Sequence, residues 1–256
     1  MLTDGFILSH MPALKRRELA EVRARLRAAP PRARALKGAS VLAGKPGIIA
    51  EVKRSSPSAG AIADGNAASI ASRYERAGAL AVSVLTDRTH FGGSWNDLAA
   101  VAGVVRSPVL CKEFIRFPEQ IDLAAALGTD IVLLIARMLS RRDLASLYRH
   151  ALSVGIAPLV EVHERGELDG ALALSPEVLM VNTRDLGTLR MERETAFATL
   201  RAVPDGVTRV CASGIESSDD VRRAREHTGA RVFLVGTALM RAADPERLIG
   251  EMDRVC

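Results

Sequence analysis

Eight short, continuously apolar runs, each followed by a helical pattern, constrain this chain more than any other feature. The runs cover 48–53, 80–85, 109–113, 131–134, 157–162, 178–181, 208–211 and 232–235, and their starts recur at intervals of roughly 20–33 residues. Runs without polar alternation are what strands show when both faces are covered, as in a parallel sheet. Helical stretches separate them at 67–77, 96–105, 118–127, 141–154, 164–174, 193–201, 217–228 and 245–252. Gly78, Gly128, Gly155 and Gly229 stand just past four of these, where helix C-termini prefer glycine. Eight strand–helix units in 256 residues predict an α/β protein, a (β/α)8 TIM barrel, whose typical length is about 250 residues. The rival, a doubly wound open sheet, would carry a glycine-rich fingerprint after its first strand. That position holds Arg54-Ser55-Ser56-Pro57-Ser58 instead.

Residues 1–44 precede the first strand and read as a helical N-terminal extension, with the barrel over 45–256 and the whole as one domain. A helix is predicted over 12–27, where Leu14, Leu19, Val22 and Leu26 make a loose apolar stripe, and a second over 32–42 after Pro30-Pro31. The net charge of +5 rests on arginines crowded near the N-terminus, a pattern expected of a solvated helix face. With aromatics at only 4%, base-stacking platforms are excluded, and no nucleic-acid partner is expected. The positive field instead favours an anionic small-molecule substrate. Cys111, Cys211 and Cys256 form no CxxC pair, which argues against a disulfide framework or a zinc site. There is no membrane-length apolar run and no signal-peptide core, so a cytoplasmic protein without a membrane partner is expected, as a monomer or weak homo-oligomer.

The stretch 48–58 carries the first sign of chemistry. Glu51 and Lys53 share strand parity, so both point to one side at the C-terminal end of a buried strand. A single such pair is commonly structural. The arrangement recurs, however: Lys112 and Glu113 end strand three, Glu161 ends strand five with His163 just after it, and Asn182, Arg184 and Asp185 follow strand six. Thr86 and Asp87, then Phe91-Gly92-Gly93-Ser94, follow strand two, while the end of strand four, 135–137, reads as bland. Barrel enzymes draw their active sites from such ends. Burying two ammonium groups and two carboxylates in one mouth is costly without pairing or a task. Ser213-Gly214 after strand seven and Gly236-Thr237 after strand eight suit a phosphate cradle. The residues therefore predict binding of a small phosphorylated substrate and acid–base chemistry by lysines and glutamates. No metal or cofactor is called for, since no ligand set has clear spacing, and His90 and His163 read as polar rim residues.

Eight segments then resemble one family, indole-3-glycerol-phosphate synthase of tryptophan biosynthesis. They are 49–58 (IAEVKRSSPS), 83–87 (SVLTD), 91–94 (FGGS), 108–114 (PVLCKEF), 159–163 (LVEVH), 181–186 (VNTRDL), 212–215 (ASGI) and 236–241 (GTALMR). The resemblance spans about 48–241 in order, and the helical extension resembles the family's extra N-terminal segment. It implies a carboxy-lyase that closes a ring on 1-(2-carboxyphenylamino)-1-deoxyribulose 5-phosphate, releasing indole-3-glycerol phosphate, carbon dioxide and water. It further implies Lys112 as general acid on the ribulose carbonyl, Glu161 and Lys53 as proton carriers in the dehydration, and Glu51 as the holder of the lysines. Asn182 and Arg184 would orient the anthranilate part, with Ser56 and Phe91 in the same pocket. Ser213, Gly214, Gly236 and Thr237 would hold the phosphate. A lysine in a dry pocket beside another cation is expected to have a lowered pKa. One departure stands out: Ala212 occupies the place where the family usually has Glu before Ser-Gly. Alternatives are a specialised relative acting on a substituted anthranilate, a sugar-phosphate isomerase or aldolase on the same barrel, and a non-catalytic phosphate-binding protein.

Overall fold

The structure is a computed structural model that describes residues 6–30, 42–56, 60–61, 66–185 and 187–256. Eight parallel strands close into a barrel: β1 (Gly47–Val52), β2 (Ala81–Leu85), β3 (Val109–Lys112), β4 (Ile131–Ile135), β5 (Ala157–Val162), β6 (Val178–Asn182), β7 (Thr208–Ala212) and β8 (Val232–Val235). Each strand pairs with its neighbour in sequence, and β1 closes the ring against β8. The TIM barrel predicted from the apolar runs is the observed architecture. Strand limits differ by a residue or so, which puts Lys53 and Glu113 just past their strands.

Strand period two sorts the side chains. One set, including Ile48, Val82, Val132 and Val160, packs outward with buried helix residues such as Leu98, Leu147 and Ile249. The other set, Ile49, Leu110, Leu159, Met180, Val210 and Leu234, fills the barrel interior. Two residues further along the same strands stand Glu51, Lys112, Glu161, Asn182, Ala212 and Gly236. Parity alone therefore stacks the candidate site on the apolar interior as the barrel's upper layer.

The N-terminal helix runs Phe6–Ala28 and carries Pro12 inside it. The predicted helix over 12–27 therefore started six residues late and ended one residue early, because the apolar stripe that marked it begins only at Leu14. The helix predicted over 32–42 falls on residues that, apart from Leu42, lie outside the described ones. Leu42 itself is buried. Among the described residues three small elements were not foreseen: a pairing of Ser55–Ser56 with Gly60–Ala61, a four-residue helix, Arg88–Phe91, capped by the Asp87 side chain, and a short helical turn, Ala136–Met138. Cys111 and Cys211 are buried free thiols in strands, as expected of small core residues. No helix among the described residues is long and apolar enough to cross a membrane.

Candidate active site

The ends of β1, β3 and β8 converge on one carboxylate. Glu51, 3% exposed at the top of β1, meets Lys53 Nζ at 3.0 Å through Oε1 and Lys112 Nζ at 3.4 Å through Oε2. Burial by itself would raise the Glu51 pKa, but the two ammonium groups outweigh it and hold the carboxylate below its ordinary range. Glycine at position 236 makes room for this arrangement, because a Cβ there would come within 2.3 Å of Glu51 Oε1.

Lys112 departs from expectation. Burial would lower its pKa, yet Glu51 and Glu161 together raise it. The lowered lysine pKa predicted from a second cation nearby is wrong, because two carboxylates face this ammonium and dominate the field. Lys112 is thus firmly charged at neutral pH.

On the far wall, Asn182 at the end of β6 is the organiser. Its Nδ2 donates to Glu161 Oε1 at 3.3 Å, while its Oδ1 accepts from Ser213 Oγ at 2.8 Å and from the Arg184 backbone N–H at 3.1 Å. Ser213 and Gly214 follow with φ of 70° and 69°, two consecutive left-handed residues. Thr183 Oγ1 secures the turn by donating to the Ser213 carbonyl at 2.9 Å. The left-handed φ at position 214 favours glycine, and a Cβ there would also press on the Met191 Cε at the tip of its side chain.

One solvent-open cleft joins these groups. Glu51, Lys53, Phe91, Lys112, Asn182, Arg184, Ser213, Gly214, Gly236 and Thr237 all line it. Glu161 lies deeper, 1% exposed, reaching the cleft through Asn182 and the field of Lys112. The backbone of Ser56 is in the short hairpin, and its side chain lies outside the described residues. Ala212 lines the same cleft, flanked in register by Asn182 and Leu234. Two apolar residues unforeseen from sequence, Leu189 and Met191, form part of the wall, and Arg193 and Arg241 add positive charge. Arg184 is tied to the loop by donation from Nη1 to the Leu189 carbonyl at 2.9 Å.

Other residues at or near the strand ends go elsewhere. Asp87 and Glu113 are buried against Lys15 of the N-terminal helix, each at 2.8 Å. His163, expected at a polar rim, is 5% exposed, with Nε2 at 3.4 Å from Glu161 Oε1. His90, also read as rim, stands against Asp87 at 3.1 Å, its side chain only 10% exposed. Arg137, from the strand end read as bland, bridges Glu167 and Asp185.

The family model for indole-3-glycerol phosphate synthase matches residues 9–252. Among curated proteins, an indole-3-glycerol phosphate synthase of Exiguobacterium sp. is 45% identical over 206 residues, covering 80% of this chain and 81% of its own. One from Mycolicibacterium smegmatis is 40% identical over 235 residues, covering 91% and 85%. Among solved structures, thiamine phosphate pyrophosphorylase from Pyrococcus furiosus matches with a TM-score of 0.59 at 15% identity, covering 81% of this chain and 93% of its own. At that identity the likeness concerns the fold alone.

Proposed function

The chain belongs to the indole-3-glycerol phosphate synthase family, and from that premise we propose how its barrel mouth carries out the ring closure. The activity is that of a carboxy-lyase of tryptophan biosynthesis. It turns 1-(2-carboxyphenylamino)-1-deoxyribulose 5-phosphate into indole-3-glycerol phosphate, carbon dioxide and water. The single observation that carries the assignment of roles is the Lys53–Glu51–Lys112 cluster, which lines the cleft above the apolar barrel interior.

Lys112 is the general acid. Its raised pKa keeps it protonated, so it delivers a proton to the ribulose C2 oxygen as the carboxylate-bearing ring carbon attacks C2. Loss of carbon dioxide returns the C–C bonding pair to the ring and restores aromaticity. Dehydration follows: one group removes a proton from C1 and another protonates the leaving C2 hydroxyl. Lys53 and Glu161 divide these tasks, and Glu51 holds both lysines in register. Asn182 and Arg184 orient the anthranilate carboxylate, with Phe91, Leu189 and Met191 supplying apolar wall for its ring, and the resemblance adds Ser56 to the same pocket. The phosphate sits against the Ser213-Gly214 turn and Gly236-Thr237, where the left-handed pair and the first amides of the helix Thr237–Arg241 offer N–H groups. Cytoplasmic location and a monomeric or weakly oligomeric state complete the proposal.

Mixing the purified protein with the carboxyphenylamino-deoxyribulose phosphate and following indole fluorescence tests these roles. Wild type gives a rise, and Lys112→Ala abolishes it. A variant that retains the rise removes Lys112 from the mechanism.

Ala212 favours a second reading of the substrate. A methyl group at an interior position beside Asn182 leaves room in the wall that a longer side chain would occupy. This reading assigns the chain a ring-substituted anthranilate as its preferred starting unit. Comparing kcat/KM for plain and ring-methylated substrates, in wild type and Ala212→Glu, separates it from the first. A preference for the plain substrate in both proteins removes it.

A further inference from the structure

Behind Glu161 lies a chain of groups that the proposed mechanism does not use. His163 follows β5 directly, and its ring is inserted between two carboxylates, with Nε2 3.4 Å from Glu161 Oε1 and Nδ1 3.7 Å from Glu167 Oε2. The His163 side chain is 4% exposed. Glu167 is itself firmly held: Oε2 accepts the His163 backbone N–H at 2.9 Å, and Oε1 accepts from Arg137 Nε at 2.7 Å. Arg137 also donates from Nη1 to Asp185, in the loop that carries Arg184 into the cleft. The fixed end of the array is thus built from the short helical turn Ala136–Met138 after β4, the helix Arg165–Leu172 and the loop after β6.

The other end is unfinished. Neither ring nitrogen of His163 has a hydrogen-bond partner, and Glu161 Oε2 has none either. Buried polar atoms are seldom left this way without a reason. Hydrogen bonds in catalytic sites are often long before substrate binds and tighten in the complex. Here a shift of a few tenths of an ångström brings Nε2 and Glu161 Oε1 within bonding distance.

We propose that His163, backed by Glu167 and Arg137, is a positioning residue that donates Nε2–H to Glu161 Oε1 and fixes that carboxylate during proton transfer. Glu161 would then take one hydrogen bond from Asn182 and one from His163 on the same oxygen. Its second oxygen stays free for the substrate. The array also gives Arg137 a purpose: one guanidinium anchors the backing of Glu161 and the loop of Arg184 together. The proposal rests on Glu161 acting on the substrate, as assigned above.

The test uses full-length enzyme and the ring-closure assay, with folding checked by circular dichroism. His163→Phe keeps the ring volume and removes the donor. It is expected to lower kcat roughly 10- to 100-fold, the scale seen when a supporting hydrogen bond behind a functional group is lost, with KM within about twofold. His163→Gln, which carries a donor near Nε2, recovers most of the loss. Glu161→Gln, run beside them, loses roughly 10²–10⁴-fold. If His163→Phe does not fold, His163→Asn, whose shorter side chain cannot reach Glu161, replaces it with the same expected fall in kcat. Wild-type kcat in a folded His163→Phe or His163→Asn, with Glu161→Gln inactive, overturns the positioning role and leaves the role of Glu161 standing. Wild-type activity in Glu161→Gln overturns both. A fall in kcat that His163→Gln does not recover also overturns the proposal, since the lost donor would not be its cause.

Discussion

Lys112 and Glu113 are adjacent in the chain and belong to different buried charge clusters. Lys112 faces the cleft with Glu51 and Lys53. Glu113 turns to the opposite side and joins Lys15 and Asp87 beneath the N-terminal helix. The second cluster is saturated. Lys15 Nζ has carboxylate oxygens of Asp87 and Glu113 at 2.8 Å and of Glu18 at 2.9 Å, and it stands over the Phe114 ring at 5.8 Å. Glu113 also accepts from Thr86 Oγ1 at 2.6 Å and from the Phe114 N–H at 2.7 Å, and Asp87 accepts the His90 N–H at 2.7 Å. The cleft cluster leaves Glu51 Oε2 and Glu161 Oε2 without hydrogen bonds. Buried charge with every valence used is scaffold. Buried charge that keeps unused acceptor capacity beside a cleft is arranged for something that arrives later.

The sharpest way to break this contrast is Lys15→Met. It removes the ammonium that both Asp87 and Glu113 face, and breaking such a buried pairing costs about 3–5 kcal/mol. Urea unfolding should show that loss, while kcat of the folded protein stays within about twofold. A variant that keeps its stability but loses turnover would erase the distinction between the clusters.

A smaller effect is expected in acid. Burial alone would push the Asp87 carboxyl up, but His90 and Lys15 outweigh it and bring it from its ordinary 3.8 down to about 2. A depressed folded-state pKa contributes stability above the unfolded value, which is lost as pH falls through the folded one. The unfolded chain binds more protons in that window, so stability falls on acidification from about pH 4 to about pH 2, by about 2 kcal/mol for this group. Asp87→Asn should flatten that limb in pH-dependent unfolding. An unchanged acid slope would mean that Asp87 is not the titrating scaffold group.

The third prediction sharpens the other side of the contrast. Ala212→Glu places a carboxylate in the cleft wall beside Asn182 and should raise turnover of the plain substrate by about tenfold, a barrier change of about 1.4 kcal/mol. An unchanged or lower rate means that the alanine is not what limits this site.

The barrel was legible because its signal is local and repeated: eight apolar runs with helices between them leave few topologies. The cleft cluster was legible for a related reason. Strand parity aligns Glu51 with Lys53, and position at a strand's C-terminal end aligns Lys112, Glu161 and Asn182 with them. What escaped were contacts between elements far apart in sequence. Lys15 meets Asp87 across 72 positions, and nothing in the basic pattern of its helix distinguishes it from solvated neighbours. Arg137 and His163 were read as bland and rim residues because their partners, Glu167 and Glu161, come from different elements or different faces of one turn. The sign of the Lys112 shift was missed for the same reason. It depends on Glu161 from β5 as well as on Glu51, and no single segment displays both.

The division between scaffold and site is tested most directly by measuring turnover and unfolding free energy on one preparation of Lys112→Met. The account predicts that ring closure falls by roughly 100-fold or more, while stability stays within about 1 kcal/mol of wild type, since Glu51 retains Lys53 and Glu161 retains Asn182. A loss of several kcal/mol in stability with turnover preserved would contradict it, and would make the cleft cluster a second scaffold.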